Sequence, residues 1–131
     1  MPQAKLNSQS EKTLRLCIRR WTRSCRALYN RQGVYAVYKD DKSGTCLYIG
    51  QSNDLGDMVS RFFRKQRFNE VHVTKNPGLM AYVQKQPFYV EVTEMQVDKA
   101  WPPVVVQEKL DSLERVMIKI KKPQYNKKHN G

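Results

Sequence analysis

Thiols, imidazoles and acidic side chains are all scarce in this chain. Its 131 residues hold three cysteines, Cys17, Cys25 and Cys46, with no Cys-x-x-Cys pair, and two histidines, His72 and His129, far from them in sequence. An odd, scattered set of thiols does not make a disulfide framework, and the spacing does not gather four zinc ligands. The cysteines therefore read as reduced core fillers. Hydrophobic runs are equally short: none approaches the roughly 20 apolar residues that cross a bilayer. The charged start carries no apolar stretch leading to a small-residue cleavage site. The expectation is an intracellular protein with no membrane partner. With 40% apolar and 27% charged residues and no internal repeat, the chain fits one compact domain.

The shortage of acids is the more informative one. Lys and Arg number 24 against 12 Asp and Glu, for a formal charge of +12. The excess is arranged in blocks: residues 1–32, 61–85 and 115–131 carry +7, +5 and +6, while 33–60 and 86–114 carry −2 and −4. Separated basic blocks suit a polyanion, since each Lys or Arg placed near a phosphate releases condensed counterions. Nucleic acid is the leading partner. A charge excess that only aids solubility, or a basic helix on an anionic membrane, is the competing reading.

Local patterns predict the elements. Ser8 and Glu11 have capping-box spacing, and Leu14, Ile18, Trp21, Cys25 and Leu28 recur at helical steps. They predict a basic amphipathic helix ending near Tyr29, with Arg15, Arg19, Arg20, Arg23 and Arg26 around the rest of its circumference. Gly33–Lys39 and Thr45–Ile49 are β-branched and aromatic runs joined by turn residues, a hairpin. Gln51–Asp54 can cap a helix in which Met58, Val59, Phe62 and Phe63 share one arc and Arg61, Arg64 and Lys65 face away. A short helix is expected over Leu79–Gln84, a third strand within Pro87–Val97, and a last helix over roughly Val104–Lys121, ended by Pro123. On that helix Val106, Leu110, Leu113, Met117, Ile118 and Ile120 form an apolar arc, with Asp111 on the outer side. Glu114 alone breaks the pattern. A carboxylate on a buried face needs a cation or strong donors, whether in a structural pair or a functional site.

Gly33-Val34-Tyr35, Tyr48-Ile49-Gly50 after a hairpin, an arginine on the next helix, Glu114 four residues before Ile118, and the terminal pair Tyr125-Asn126 occur in one order over residues 33–126. In this the chain resembles the GIY-YIG nucleases. The resemblance implies an α/β fold, with a small antiparallel sheet of about three strands flanked by helices. To this the chain adds a basic N-terminal helical extension over 1–32, the nuclease-like unit being 33–131. It also implies a catalytic set of Tyr35, Tyr48, Arg61, Glu114 and Asn126. Tyr35 would orient water or act as general base, and Tyr48 would position the phosphate. Arg61 would hold phosphate oxygens, and Asn126 would bond near the phosphate or fix the chain end. Glu114 would be the carboxylate on Mg²⁺, or on Mn²⁺. The family's usual spacing from Leu55 falls on Met58, so Arg61 fits with one added helical turn and Arg64 is the alternative; His72, Lys65 or Lys75 would supply a second basic group.

The residues follow the chemistry of phosphodiester cleavage, which needs an activated water, a cation for the developing oxyanion and neutralised substrate charge. Two tyrosines on paired strands can share a face, and a guanidinium meets two phosphate oxygens at once. Mg²⁺ needs only one or two protein carboxylates. The expected function is Mg²⁺-dependent endonucleolytic cleavage of DNA, of phage, mobile-element or restriction type. Arg19, Arg20, Arg23, Arg64, Lys65, Lys121 and Lys127 are the expected backbone contacts. The alternative is a non-catalytic nucleic-acid-binding module on the same scaffold.

Overall fold

The computed structural model describes residues 11–16, 21–68 and 73–126. Among them the elements run β1 (Glu11–Leu16), α1 (Arg23–Arg26), β2 (Gly33–Lys39), β3 (Cys46–Ser52), α2 (Leu55–Phe68), α3 (Pro77–Lys85), β4 (Phe88–Met95) and α4 (Pro103–Lys121). The four strands form one antiparallel sheet in the order β1-β4-β2-β3. It is an α/β sandwich, the small antiparallel sheet flanked by helices that the motifs predict, with one strand more than expected.

Period-2 alternation divides the side chains between two cores. Val37, Leu47, Val90 and Val92 point to a layer containing Leu28, Leu55, Val59, Phe62, Leu79 and Val83, contributed by α2, α3 and the segment around α1. Val34, Ala36, Cys46, Ile49 and Met95 point the other way, onto Val106, Leu110 and Ile118 of α4. The β2–β3 ladder skips Leu47, since Val37 faces Tyr48 while Tyr38 faces Cys46. This bulge sends both Leu47 and Tyr48 toward the α2 side. Cys25 and Cys46 are buried free thiols, and burial raises the Cys46 thiol to about 11. Cys17, His72 and His129 lie outside the described residues.

The N-terminal segment departs from expectation. Residues 11–16 are a strand paired to β4, with Leu16 opposite Val90 and Arg15 opposite Glu91. Helical structure is confined, among the described residues of the predicted helix, to the single turn Arg23–Arg26, capped by Thr22. Leu14 and Leu16 fit a strand as well as a helix, and the edge of β4, some 80 residues away, offers a full ladder of hydrogen bonds. Tertiary pairing of this kind overrides a local helical pattern. Residues 11–16 thus join the sheet instead of forming a helical extension, and Leu16, Cys25 and Leu28 are buried in the α2-side core.

Elsewhere the local patterns match the elements to within a few residues. Asp54 caps α2, its Oδ1 accepting from the amide of Asp57 at 3.1 Å, and Asn76 caps α3 through the amide of Leu79 at 3.0 Å. Ile120 and Lys65 differ, as does Asp111, which is described with the site. Ile120, about 80° from Leu110 at the margin of the arc, is 70% exposed. Lys65 is buried instead of facing solvent; it follows Phe62 by three residues and so shares its face. Its Nζ donates to the Gln84 carbonyl at 3.3 Å, near the end of α3, where carbonyls lack helical partners. No helix among the described residues is long and apolar enough to cross a membrane.

Candidate active site

The two tripeptides pair directly. Tyr35 lies opposite Gly50, and Tyr48 opposite Val37, on the same face of the hairpin. Their rings are 6.1 Å apart at 43°. Both motif glycines are required by close approach. A Cβ at Gly50 would lie 2.7 Å from Cζ and Oη of Tyr35, so the bare backbone is what lets this ring lie across β3. A Cβ at Gly33 would meet the Thr93 carbonyl at 2.2 Å.

Tyr35 rests between Tyr48 and Phe62 of α2, 6.2 Å from the latter. Burial raises its hydroxyl well above the ordinary phenol range; Tyr48 and Glu114 add to that rise, and Arg61 alone opposes it. Burial first and Glu114 second raise Tyr48 as well. Tyr35 is thus within electrostatic reach of Tyr48, Arg61 and Glu114, and Tyr48 within that of Glu114. At neutral pH Tyr35 is a neutral phenol, suited to donating a hydrogen bond. The general-base role implied by the family would need an added positive charge at the site to lower it.

Arg61 is half exposed and paired with Asp57 at 3.1 Å, one turn earlier on α2. It lines a cleft of about 520 Å³ with Thr74, Lys75, Asn76, Pro77 and Met80. Arg64 occupies a different cleft, of about 340 Å³, with Trp21, Arg26, Tyr29, Ser60 and Phe63, and its Nη1 donates to Ser60 Oγ at 3.0 Å. The charge of Arg61 acts on Tyr35.

Glu114 is half buried. Its Oε1 accepts from Gln51 Nε2 at 2.6 Å, and the same nitrogen donates to Asp111 Oδ1 at 2.7 Å. Gln107 Nε2 donates to Gln51 Oε1 at 2.7 Å and to Asp111 Oδ1 at 2.8 Å. Hydrogen bonds from Gln51 and then Gln107 hold the Asp111 carboxyl below the usual range; burial opposes this and Arg115 assists it. Gln107, Asp111 and Glu114 follow at steps of four and three, and so form one polar stripe bordering the apolar arc of α4. That stripe is readable in the sequence, and Asp111 belongs to it instead of to the outer face. Gln51, the residue after the Tyr-Ile-Gly tripeptide, has no comparable signal of its own.

Asn126 is buried, and both ends of its amide are used on one residue of β3. Oδ1 accepts from the Ile49 amide at 2.8 Å, and Nδ2 donates to the Ile49 carbonyl at 2.7 Å. With Gln124 and Tyr125 donating to the carbonyls of Cys46 and Leu47, the chain end covers the outer edge of β3. These bonds tie Asn126 to β3 between Tyr48 and Gly50.

Among the described residues, the expected nucleic-acid contacts lie in different layers. Arg23 is exposed on α1, and Arg64 lines the smaller cleft together with Arg26 of the same helix as Arg23. Lys121 belongs to the opposite layer, 5.8 Å from the Tyr38 ring centre. Lys65 is withdrawn from solvent, and Arg19, Arg20 and Lys127 lie outside the described residues.

For a divalent cation, no group of three or more His, Cys, Asp or Glu side chains occurs among the described residues. Mg²⁺ does not require one, because it retains most of its waters. Glu114, with acceptor capacity beyond its bond to Gln51, fits that demand.

No family model matches the chain, and no curated protein matches it. Solved structures do. The GIY-YIG N-terminal endonuclease domain of UvrC from Thermotoga maritima, bound to magnesium as its catalytic divalent cation, has a TM-score of 0.44 and 17% identity, covering 81% of this chain and 99% of that one. An asparagine-to-alanine mutant of the same domain, bound to its catalytic divalent cation, has a TM-score of 0.43 and 16% identity, covering 80% and 97%.

Proposed function

We propose that this protein is a GIY-YIG nuclease that cleaves phosphodiester bonds of DNA in the presence of Mg²⁺. What supports the reading is the pairing of Tyr35 and Tyr48 on one face of the hairpin, with rings 6.1 Å apart, and the bond at 2.6 Å that ties Glu114 to Gln51 of the same strand as Tyr48. A pure binding module has no use for a half-buried carboxylate turned toward a polyanion.

Each residue then has a task. Arg61, half exposed at the mouth of its cleft, exchanges Asp57 for phosphate oxygens. That exchange delivers positive charge where an oxyanion develops. Tyr48 and the neutral Tyr35 donate hydrogen bonds that orient the scissile phosphate and the attacking water. Glu114 would hold the cation, which when bound supplies charge for a phosphoryl oxygen and lowers the pKa of water. Asn126 and Gly50 keep β3 in the register that brings the tyrosines together. Basic side chains around the clefts of Arg61 and Arg64 contribute affinity without reading bases.

Incubation of purified protein with supercoiled plasmid, with Mg²⁺ or with EDTA, tests the reading. Nicked or linear product in Mg²⁺ alone is expected. Shifted but uncut plasmid under every condition would favour the non-catalytic binding module.

A further inference from the structure

We infer that Gln51 is a positioning residue for Glu114, and that the ring it forms with Gln107 and Asp111 sets how tightly the site takes up a divalent cation. This rests on the proposed function, which makes Glu114 the cation's carboxylate, and goes beyond it by naming what fixes that carboxylate in place.

The orientation of the Gln51 amide follows from its partners. Asp111 and Glu114 carboxylates only accept, so the amide nitrogen must face both, at 2.7 and 2.6 Å. The oxygen must then face a donor, and Gln107 supplies one at 2.7 Å. Gln107 closes the ring on Asp111 at 2.8 Å. Three side chains thus lock one another, and the second N–H of Gln51 is left aimed at Glu114. A glutamate at the margin of a helix has three free torsions. A donor held from a second element removes that freedom before any cation arrives, which is how supporting residues raise the affinity of metal ligands. Gln51 follows Gly50 directly on β3, so the support for Glu114 and the backbone beneath the Tyr35 ring are neighbours in one strand.

The test is calorimetric titration with Mn²⁺ alone, followed by cleavage at varied Mg²⁺. Gln51→Leu should weaken Mn²⁺ binding about 10–100-fold and raise the Mg²⁺ concentration for half-maximal cleavage to match. Gln107→Ala, at an exposed position whose loss does not threaten folding, should weaken Mn²⁺ binding in the same direction by less. The double variant should be no weaker than Gln51→Leu alone, because Gln107 acts through Gln51. Unchanged Mn²⁺ affinity in Gln51→Leu, with Glu114→Ala still abolishing binding, overturns the positioning role and leaves the proposed function standing. Mn²⁺ affinity indifferent to Glu114→Ala overturns both.

Discussion

Replacing Asn126 should destabilise the fold far more than an ordinary substitution outside the helices and strands would. Ile49 is fully buried, and its outward-facing N–H and C=O bond at 2.8 and 2.7 Å to the Asn126 amide, which stands in for the next strand of the sheet. Asn126→Ala leaves both groups without a partner. Each buried unpaired backbone group costs about 1–3 kcal/mol, so the pair costs about 2–6 kcal/mol, a large share of a total stability of about 5–15 kcal/mol. With a urea m-value of about 2 kcal/mol/M, the unfolding midpoint should fall by about 1–3 M at unchanged slope. Asn126→Asp adds a pH dependence. Protonated, the carboxyl can still donate to the Ile49 carbonyl; ionised, it sets two oxygens against it in a buried place. Its folded pKa should therefore exceed the unfolded value of about 3.9. The substituted fold keeps its stability below that value and loses it as pH rises toward the folded pKa. The Asp variant should thus trail the parent protein more at pH 7 than at pH 4. A midpoint shift under about 0.3 M for Asn126→Ala, or a pH dependence of the opposite sign for Asn126→Asp, would refute the reasoning.

Arg61→Ala should lower single-turnover cleavage by about 100-fold or more with little change in DNA affinity, whereas Arg64→Ala should mainly weaken binding in a gel shift; exchanged phenotypes would reverse their assignment. Lys65→Met should leave the salt dependence of DNA binding unchanged, because the ammonium is bonded to Gln84 and not available to phosphate; a slope reduced by about one unit in log–log terms would contradict its burial. Removing residues 1–30 takes away β1 together with Leu16, Cys25 and Leu28, so the remainder should lose cooperative unfolding by circular dichroism, whereas a peripheral helix would be lost without that effect.

What was legible in the sequence was local. The hairpin, α2, β4 and α4 follow from runs whose period, caps and breakers agree with their final packing, and the order of the two tripeptides places Tyr35 and Tyr48 on one face of the hairpin. What was hidden depended on partners distant in sequence. The Leu14-to-Leu28 spacing suggests a helix because the competing claim, the free edge of β4, enters only once the sheet exists. Lys65 looks like surface because its compensating carbonyl belongs to α3. Gln51 carries no signal alone and acquires one when α4 lays Gln107, Asp111 and Glu114 beside β3. Asn126 carries no sign in the sequence of its partner, and only the course of residues 124–126 along β3 brings its amide to the Ile49 backbone.

The most direct measurement of the central claim is cleavage by Glu114→Ala beside the parent protein, scored together with DNA binding. Glu114 is a half-buried carboxylate whose charge reaches both Tyr35 and Tyr48. Its removal should abolish Mg²⁺-dependent cleavage while DNA binding persists or tightens, since a negative charge facing phosphate has been taken away. Cleavage by the purified variant at the parent rate in Mg²⁺ would contradict the account.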